Sequence, residues 1–250
     1  MKNFSLKLAT LFISFIVVVS CNKEDVPDTT VKNDPVVSKD TITVFETSDS
    51  INGKTYQDLL VEHTKWVWAS PVSQNPGFDY SGSIHKHNQP LPDFTMLAGR
   101  SGPNVSAAQN FTVSRSKPIF VPIVFYTEWF FEEDKCNPNF KPSPGQSTED
   151  FLKGIVNPAI KGMVINSFLV NGKSIVSDFS KYVTITKVFR SKIRPVNNNA
   201  CNNLDKEAYV LSGGYAILLK LSAGNHTIYY KGGAPAENFT TEQTFNLKVE

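Results

Sequence analysis

The chain has little surplus of either charge: 25 Lys and Arg stand against 23 Asp and Glu, and losing Lys2 and Lys7 with a cleaved leader makes the signs equal. Nucleic acid is thereby disfavoured as a partner, because affinity for it comes from clustered cations that displace counterions. The same balance offers no field to steer an acidic glycan. Motifs of catalysis are missing too. Gly213-Gly214 and Gly232-Gly233 lack the Lys-Ser/Thr of a phosphate loop, and no Gly-x-Ser-x-Gly elbow, EF-hand loop or fixed-period repeat is present. Cysteine is scarce, at three residues, and neither Cys136 nor Cys201 has a second Cys or a His at zinc-ligand spacing. Long apolar runs are absent as well. The longest, Leu8 to Val19, has about a dozen residues, whereas a helix needs roughly twenty to cross a bilayer.

That short run is nevertheless informative. Lys2 and Lys7 precede it, and Val18-Val19-Ser20 leads into Cys21, the pattern of a lipoprotein signal peptide over residues 1–20. A diacylglyceryl thioether on Cys21, with an acylated amine after cleavage, supplies several acyl chains and fastens the protein to a membrane. Residues 21–42 mix Asp, Lys, Thr and Val with Pro27 and Pro35 and show no period, so they read as a tether. A flexible coil of that length spans on the order of 25 Å. With Cys21 acylated, Cys136 and Cys201 remain, each in a turn-rich segment. A disulfide between loops is the leading expectation in an oxidising compartment, with two separate thiols as the alternative.

Residues 43–250 form the domain, and 40% hydrophobic content with 12% aromatics suffices for a substantial core. Tyr56, Leu59, Leu60, His63, Trp66 and Val67 recur at helical intervals from Thr55, and Pro71 stops the helix near Ser70. Gln74 to Pro92 is rich in turn formers and is expected as a long loop without a core element. Lys117 to Tyr126 reads as a buried strand with a bulge or bend at Pro122. Ser147 or Thr148 can cap a second helix ending before Pro158. Asn171-Gly172 joins two strands, Val164 to Val170 and Lys173 to Val176, as a hairpin turn. Further strands are expected at Val183 to Phe189, Tyr215 to Leu221, His226 to Lys231 and Thr244 to Val249. The fold class is mainly β: an antiparallel β-sandwich with one or two peripheral helices.

Two resemblances refine this picture. Asn22-Lys23-Glu24-Asp25 resembles the export signal that follows the lipidated cysteine in surface-exposed lipoproteins of Bacteroidota. It implies a lipid-anchored protein of the outer membrane, exposed at the cell surface. Trp66-Val67-Trp68-Ala69-Ser70-Pro71, the loop Gln74 to Gly82, Phe94 to Gly99, Ser116 to Ile123, Gly213-Gly214-Tyr215, Leu221 to Ile228 and Phe239 to Val249 together resemble a family of bacterial secreted and lipoprotein β-rich domains. That resemblance implies fold and export and brings no activity. The family pattern places one cysteine after the Asp-to-Gly loop and another before the Pro-Ile-Phe strand, where this chain has Ser83 or Ile84 and Phe111.

Three constellations bear on chemistry. His85-Lys86-His87 on a strand would aim two imidazoles at one metal, with His226 as a third ligand in a cupin-like set. Against this, no Glu follows His87 at the expected distance, and exposed loop histidines explain the spacing as well. Glu128 and Glu132 flank Trp129 and could line a glycan-binding cleft, or supply the acids of a glycosidase; adjacent acids alone do not set two carboxylates across a cleft. Trp66 and Trp68 lie about 200° apart on a helix, so one is expected buried and the other partly covered.

The sequence therefore points to a surface lipoprotein that is a non-catalytic binding module for glycan or another envelope component. It expects a membrane partner through the lipid anchor, no nucleic acid and no cofactor. The alternatives are a small carbohydrate-active hydrolase or lyase, a cupin-like metal enzyme, and a structural component that assembles with another envelope protein.

Overall fold

The computed structural model describes residues 41–79, 81–99, 108–134, 137–194 and 206–250. The lipobox and Cys21, the tether up to residue 40, Cys136 and Cys201 lie outside the described residues, and with them the anchor and the expected disulfide.

The architecture is a mainly β sandwich of two sheets, with helices on the outer face of one. Its strands are β1 Ile42–Val44, β2 Thr95–Met96, β3 Ala108–Val113, β4 Ile119–Phe130, β5 Val164–Val170, β6 Lys173–Ser174, β7 Val183–Ile185, β8 Phe189–Lys192, β9 Glu207–Leu221, β10 Gly224–Ala234 and β11 Phe239–Val249. The first sheet runs β1-β9-β4-β2, and β7 and β8 also pair with β9. The second runs β3-β11-β10-β5-β6. Antiparallel pairing dominates as expected, but β2 on β4 and β3 on β11 are parallel. Both exceptions arise where a strand joins an edge from a distant loop rather than through a tight turn.

β9 organises the first sheet. One edge pairs with β4 from Leu219 to Tyr209, and the other is shared by three short strands in succession, β1, β7 and β8. The expected strand Val183 to Phe189 is thus two pieces. Thr186 still pairs with Ser212 while Phe189 meets Val210, so one extra residue loops out between them. The bulge foreseen at Pro122 falls on its neighbour, since Pro122 pairs with Ala216 and Val124 with Tyr215, leaving Ile123 unmatched.

Ile217 and Leu219 of β9 face the core between the sheets with Phe168, Ile228 and Phe245. Their alternates Ala216 and Leu218 pack instead against α1, Tyr56–Ala69. A strand covered on both faces must be apolar throughout, which is why this segment shows no polar alternation. α1 starts with a capping box in which Thr55 and Asp58 satisfy each other's backbone amides. Its Leu59 and Leu60 are fully buried, worth roughly 1.5–3 kcal/mol each. Trp66 is buried and Trp68 partly so, as the helical spacing expected.

α3, Thr148–Lys161, is capped by Ser147 and packs Leu152, Val156 and Ile160 against Phe130 and Leu211. It does not end before Pro158 but runs through it. Pro158 and Gly154, whose carbonyl loses its helical donor, are both exposed, so water takes the carbonyl and the buried Ile160 keeps the last turn in place. Gly213 gives that helix room, because a Cβ there would collide with Ile160.

The segment Gln74 to Pro92 overturns the expectation of a loop without core residues. It contains the short helix α2, Ser83–His87, and buries Asn75, Asp79 and His85. Asp79 Oδ2 accepts the amides of Ile84 and His85 at 2.8 and 3.0 Å, and the His85 Nδ1–H at 3.0 Å. Asp79 Oδ1 accepts Ser81 and Gly82 at 3.1 and 2.9 Å. The Ala98 amide donates to His85 Nε2 at 3.0 Å, and the Ala98 carbonyl lies 3.2 Å from the same nitrogen. Phe111 stacks on that ring, with centroids 5.3 Å apart.

Candidate functional site

β2 covers β4 only at Ile119 and Phe120. Beyond that point, no strand among the described residues pairs with the outer edge of β4. A cavity of about 440 Å³ lies along this edge, walled by Pro122 to Trp129, by His63, Val67 and Trp68 of α1, and by Tyr230, Phe239 and Thr241 of the second sheet. A second cavity of about 700 Å³ adjoins it and shares Val124, Phe125, Tyr126 and Phe239. Its far wall comes from α3 and includes Ile155 and Pro158. The bulge at Ile123 turns the strand so that neighbouring side chains contribute to one wall. Gly232 of β10 lets the second sheet approach closely, since a Cβ there would lie 2.8 Å from Val124.

The walls are chiefly apolar and aromatic, and their few polar groups differ sharply in how they are satisfied. Trp68 and Trp129 form a tilted pair with centroids 5.3 Å apart. Glu128 accepts from the Tyr126 hydroxyl at 2.8 Å and from the Trp129 amide at 3.1 Å. Burial, reinforced by Glu128, raises the Tyr126 hydroxyl to about 12. Tyr230 is buried and stands against Gly99, where any side chain would strike its hydroxyl; burial raises its pKa as well.

His63 is the unusual member. It has no solvent exposure, and neither ring nitrogen has a hydrogen-bond partner. Around it stand the rings of Phe125 at 5.2 Å, Trp66 at 6.2 Å and Phe120 at 6.4 Å, all edge-on. Burial pushes its pKa down to about 3, so the imidazole is neutral near neutrality. The Leu97 backbone opposes that shift without reaching hydrogen-bonding geometry. The helical period placed His63 on the buried face of α1, but its lack of a partner depends on residues far along the chain.

The other expected site residues fall as follows. Glu128 and Trp129 line the groove, whereas Glu132 lies outside it, accepting from Tyr209 at 2.8 Å. His85, His87 and His226 are not brought together as a metal set. The segment carrying the first two is a helix rather than a strand, so His87 is exposed while His85 is buried against Asp79. His226 is engaged by Asn171 at 3.1 Å and by the Ser222 carbonyl at 2.9 Å. Among the described residues, no three His, Cys, Asp or Glu converge as ligands. Nor is any described helix long and apolar enough to cross a membrane.

No protein-family model matches this chain. No curated protein does either. One solved structure, titled "Solution Structure of Amebosin", aligns with 60% of this chain and 100% of its own at 12% identity, with a TM-score of 0.18, too low to carry an argument about fold or function.

Proposed function

We propose that the protein is a non-catalytic binding module, held at the cell surface by an acylated Cys21, that receives a glycan or another envelope component in the groove beside β4. The observation that carries the reading is the aromatic cavity of about 440 Å³ with Trp68 and Trp129 in its wall. Sites of a few hundred Å³ with apolar walls and few polar groups are the usual form of small-molecule pockets. The anchor draws its support from the lipobox ending at Cys21, and surface exposure from Lys23, Glu24 and Asp25.

Two measurements test this. Metabolic labelling with a clickable fatty acid should mark the wild type and leave Cys21→Ala blank; an unlabelled wild type refutes the anchor. Binding to a glycan array, and to extracted envelope lipids, should be saturable and weakened by Trp129→Ala. Indifference to that substitution removes the groove from the proposal.

The hydrolase reading has one observation in its favour. Glu128 and Glu237 both raise the pKa of Tyr126, and they line the first and second cavity respectively. Turnover of chromogenic glycosides that Glu128→Gln abolishes would establish it in place of the binding module.

A further inference from the structure

We propose that the ligand of this groove is an uncharged, mainly apolar molecule with a single hydroxyl, and that His63 captures that hydroxyl. The inference rests on the binding reading above and deepens it.

His63 is a wall residue of the cavity whose ring has no accessible surface and whose nitrogens both lack partners, so a guest engages it by drawing the ring toward the cavity. Buried polar groups in native proteins are nearly always paired, and an unpaired one in the wall of a cavity calls for a partner from outside the chain. A neutral imidazole offers one donor and one acceptor. A hydroxyl can serve either nitrogen, giving its proton to the bare one or accepting from the protonated one. A carboxylate can only accept and an ammonium can only donate, and either would bring a charge among the hydrocarbon of Val67, Ile123, Val124 and Phe125.

The walls select against a polyhydroxylated guest in the same way. The remaining polar groups are Glu128, already engaged by Tyr126 and Trp129, together with Thr127, Tyr230, Thr241 and the indole N–H of Trp68, a lone donor that also lacks a partner. A sugar ring inside would strand most of its hydroxyls against Pro122, Val124 and Phe239, so a glycan is confined to the Trp129 face of the groove. An apolar body suits these walls, and its one hydroxyl completes the bond that His63 lacks.

The probes are 2-naphthol and naphthalene, titrated calorimetrically into the full chain carrying Cys21→Ser, so that no acyl chain competes. The expected result is saturable binding of both, with 2-naphthol tighter by about tenfold, the worth of one hydrogen bond in a water-excluded site. The ring ¹⁵N resonances of His63 should shift with 2-naphthol and not with naphthalene. In His63→Phe the two probes should bind alike. If that variant does not fold, the ¹⁵N shifts of the histidine protein decide. Equal binding of both probes with no ring shift, each weakened by Trp129→Ala, overturns the hydroxyl capture and leaves the groove standing. Binding of neither probe overturns the hydroxyl capture; if Trp129→Ala also leaves glycan and lipid binding unchanged, the groove reading falls with it.

Discussion

Replacing His63 by Phe should stabilise the protein, although the residue is fully buried. The imidazole gives up its hydration on folding and gains no hydrogen bond, a penalty of about 1–3 kcal/mol. Phe keeps the edge-on ring contacts with Phe125, Trp66 and Phe120, and its extra volume enters the adjoining cavity. A gain of about 1–2 kcal/mol is expected at pH 7, raising Tm by roughly 2–8 °C for a domain of this size. The pH dependence sharpens the test. Free histidine titrates near 6.5, whereas folded His63 titrates at about 3. Between those values the unfolded chain binds a proton that the folded chain refuses. The contribution of neutral His63 is therefore complete above about pH 6.5, is lost as pH falls, and levels off below the folded value. At about 1.4 kcal/mol per unit, the wild type loses roughly 2 kcal/mol between pH 6.5 and 5 that His63→Phe does not. Urea unfolding of both proteins at pH 7, 6 and 5 measures the difference directly, and the other histidines cancel in the comparison. A variant less stable at pH 7, or a stability gap that does not widen on acidification, refutes the reasoning.

Asp79→Asn should destabilise by about 3–5 kcal/mol, because an amide facing the donors of Ile84 and His85 cannot accept them all; urea unfolding checks it, and a loss below 1 kcal/mol contradicts it. Hydrogen bonds from His85 and Ser81 outweigh burial and hold the Asp79 carboxyl well below its ordinary value. Its contribution is thus present above about pH 4 and fades as pH falls toward the folded value, so the acid limb of the unfolding curve should flatten in Asp79→Asn. Asn171→Ala should lower stability by about 1–2 kcal/mol, since Asn171 sits at φ +53° and holds both His226 and the Thr227 amide. Its His226 ring ¹⁵N shifts should move in NMR spectra, and unchanged shifts would contradict the clip. Gly213→Val should displace α3 from β9 and expose Ile160, seen as loss of hydrogen-exchange protection in residues 148–161; unchanged protection would count against that packing.

Much of the fold is written in short windows. The capping box at Thr55, the Ser147 cap, the positive-φ Asn171-Gly172 turn and the alternation of Phe245, Leu247 and Val249 each specify their element locally, and each element forms there, with α3 running on past its expected end at Pro158. β3 escaped because its inward row begins with Gln109, a buried polar residue that breaks the hydrophobic pattern and whose purpose is to donate to the Asp79 carbonyl thirty positions earlier. Likewise the His85 spacing suggested a metal pair only as long as its segment was read as a strand.

The sequence by itself thus determined the sandwich class, the starts of the two long helices and the apolar stripe that buries His63, since propensity and periodicity act over one or two turns of chain. Whether a buried polar group is satisfied depends on what other elements deliver to it. For Asp79 and His85, α2 and the Ala98 amide arrive with every bond supplied. For His63, packing delivered only rings and a cavity. Tertiary structure alone gave one histidine all its partners and left the other with none, because hydrogen bonds are decided by position in space and not by spacing along the chain.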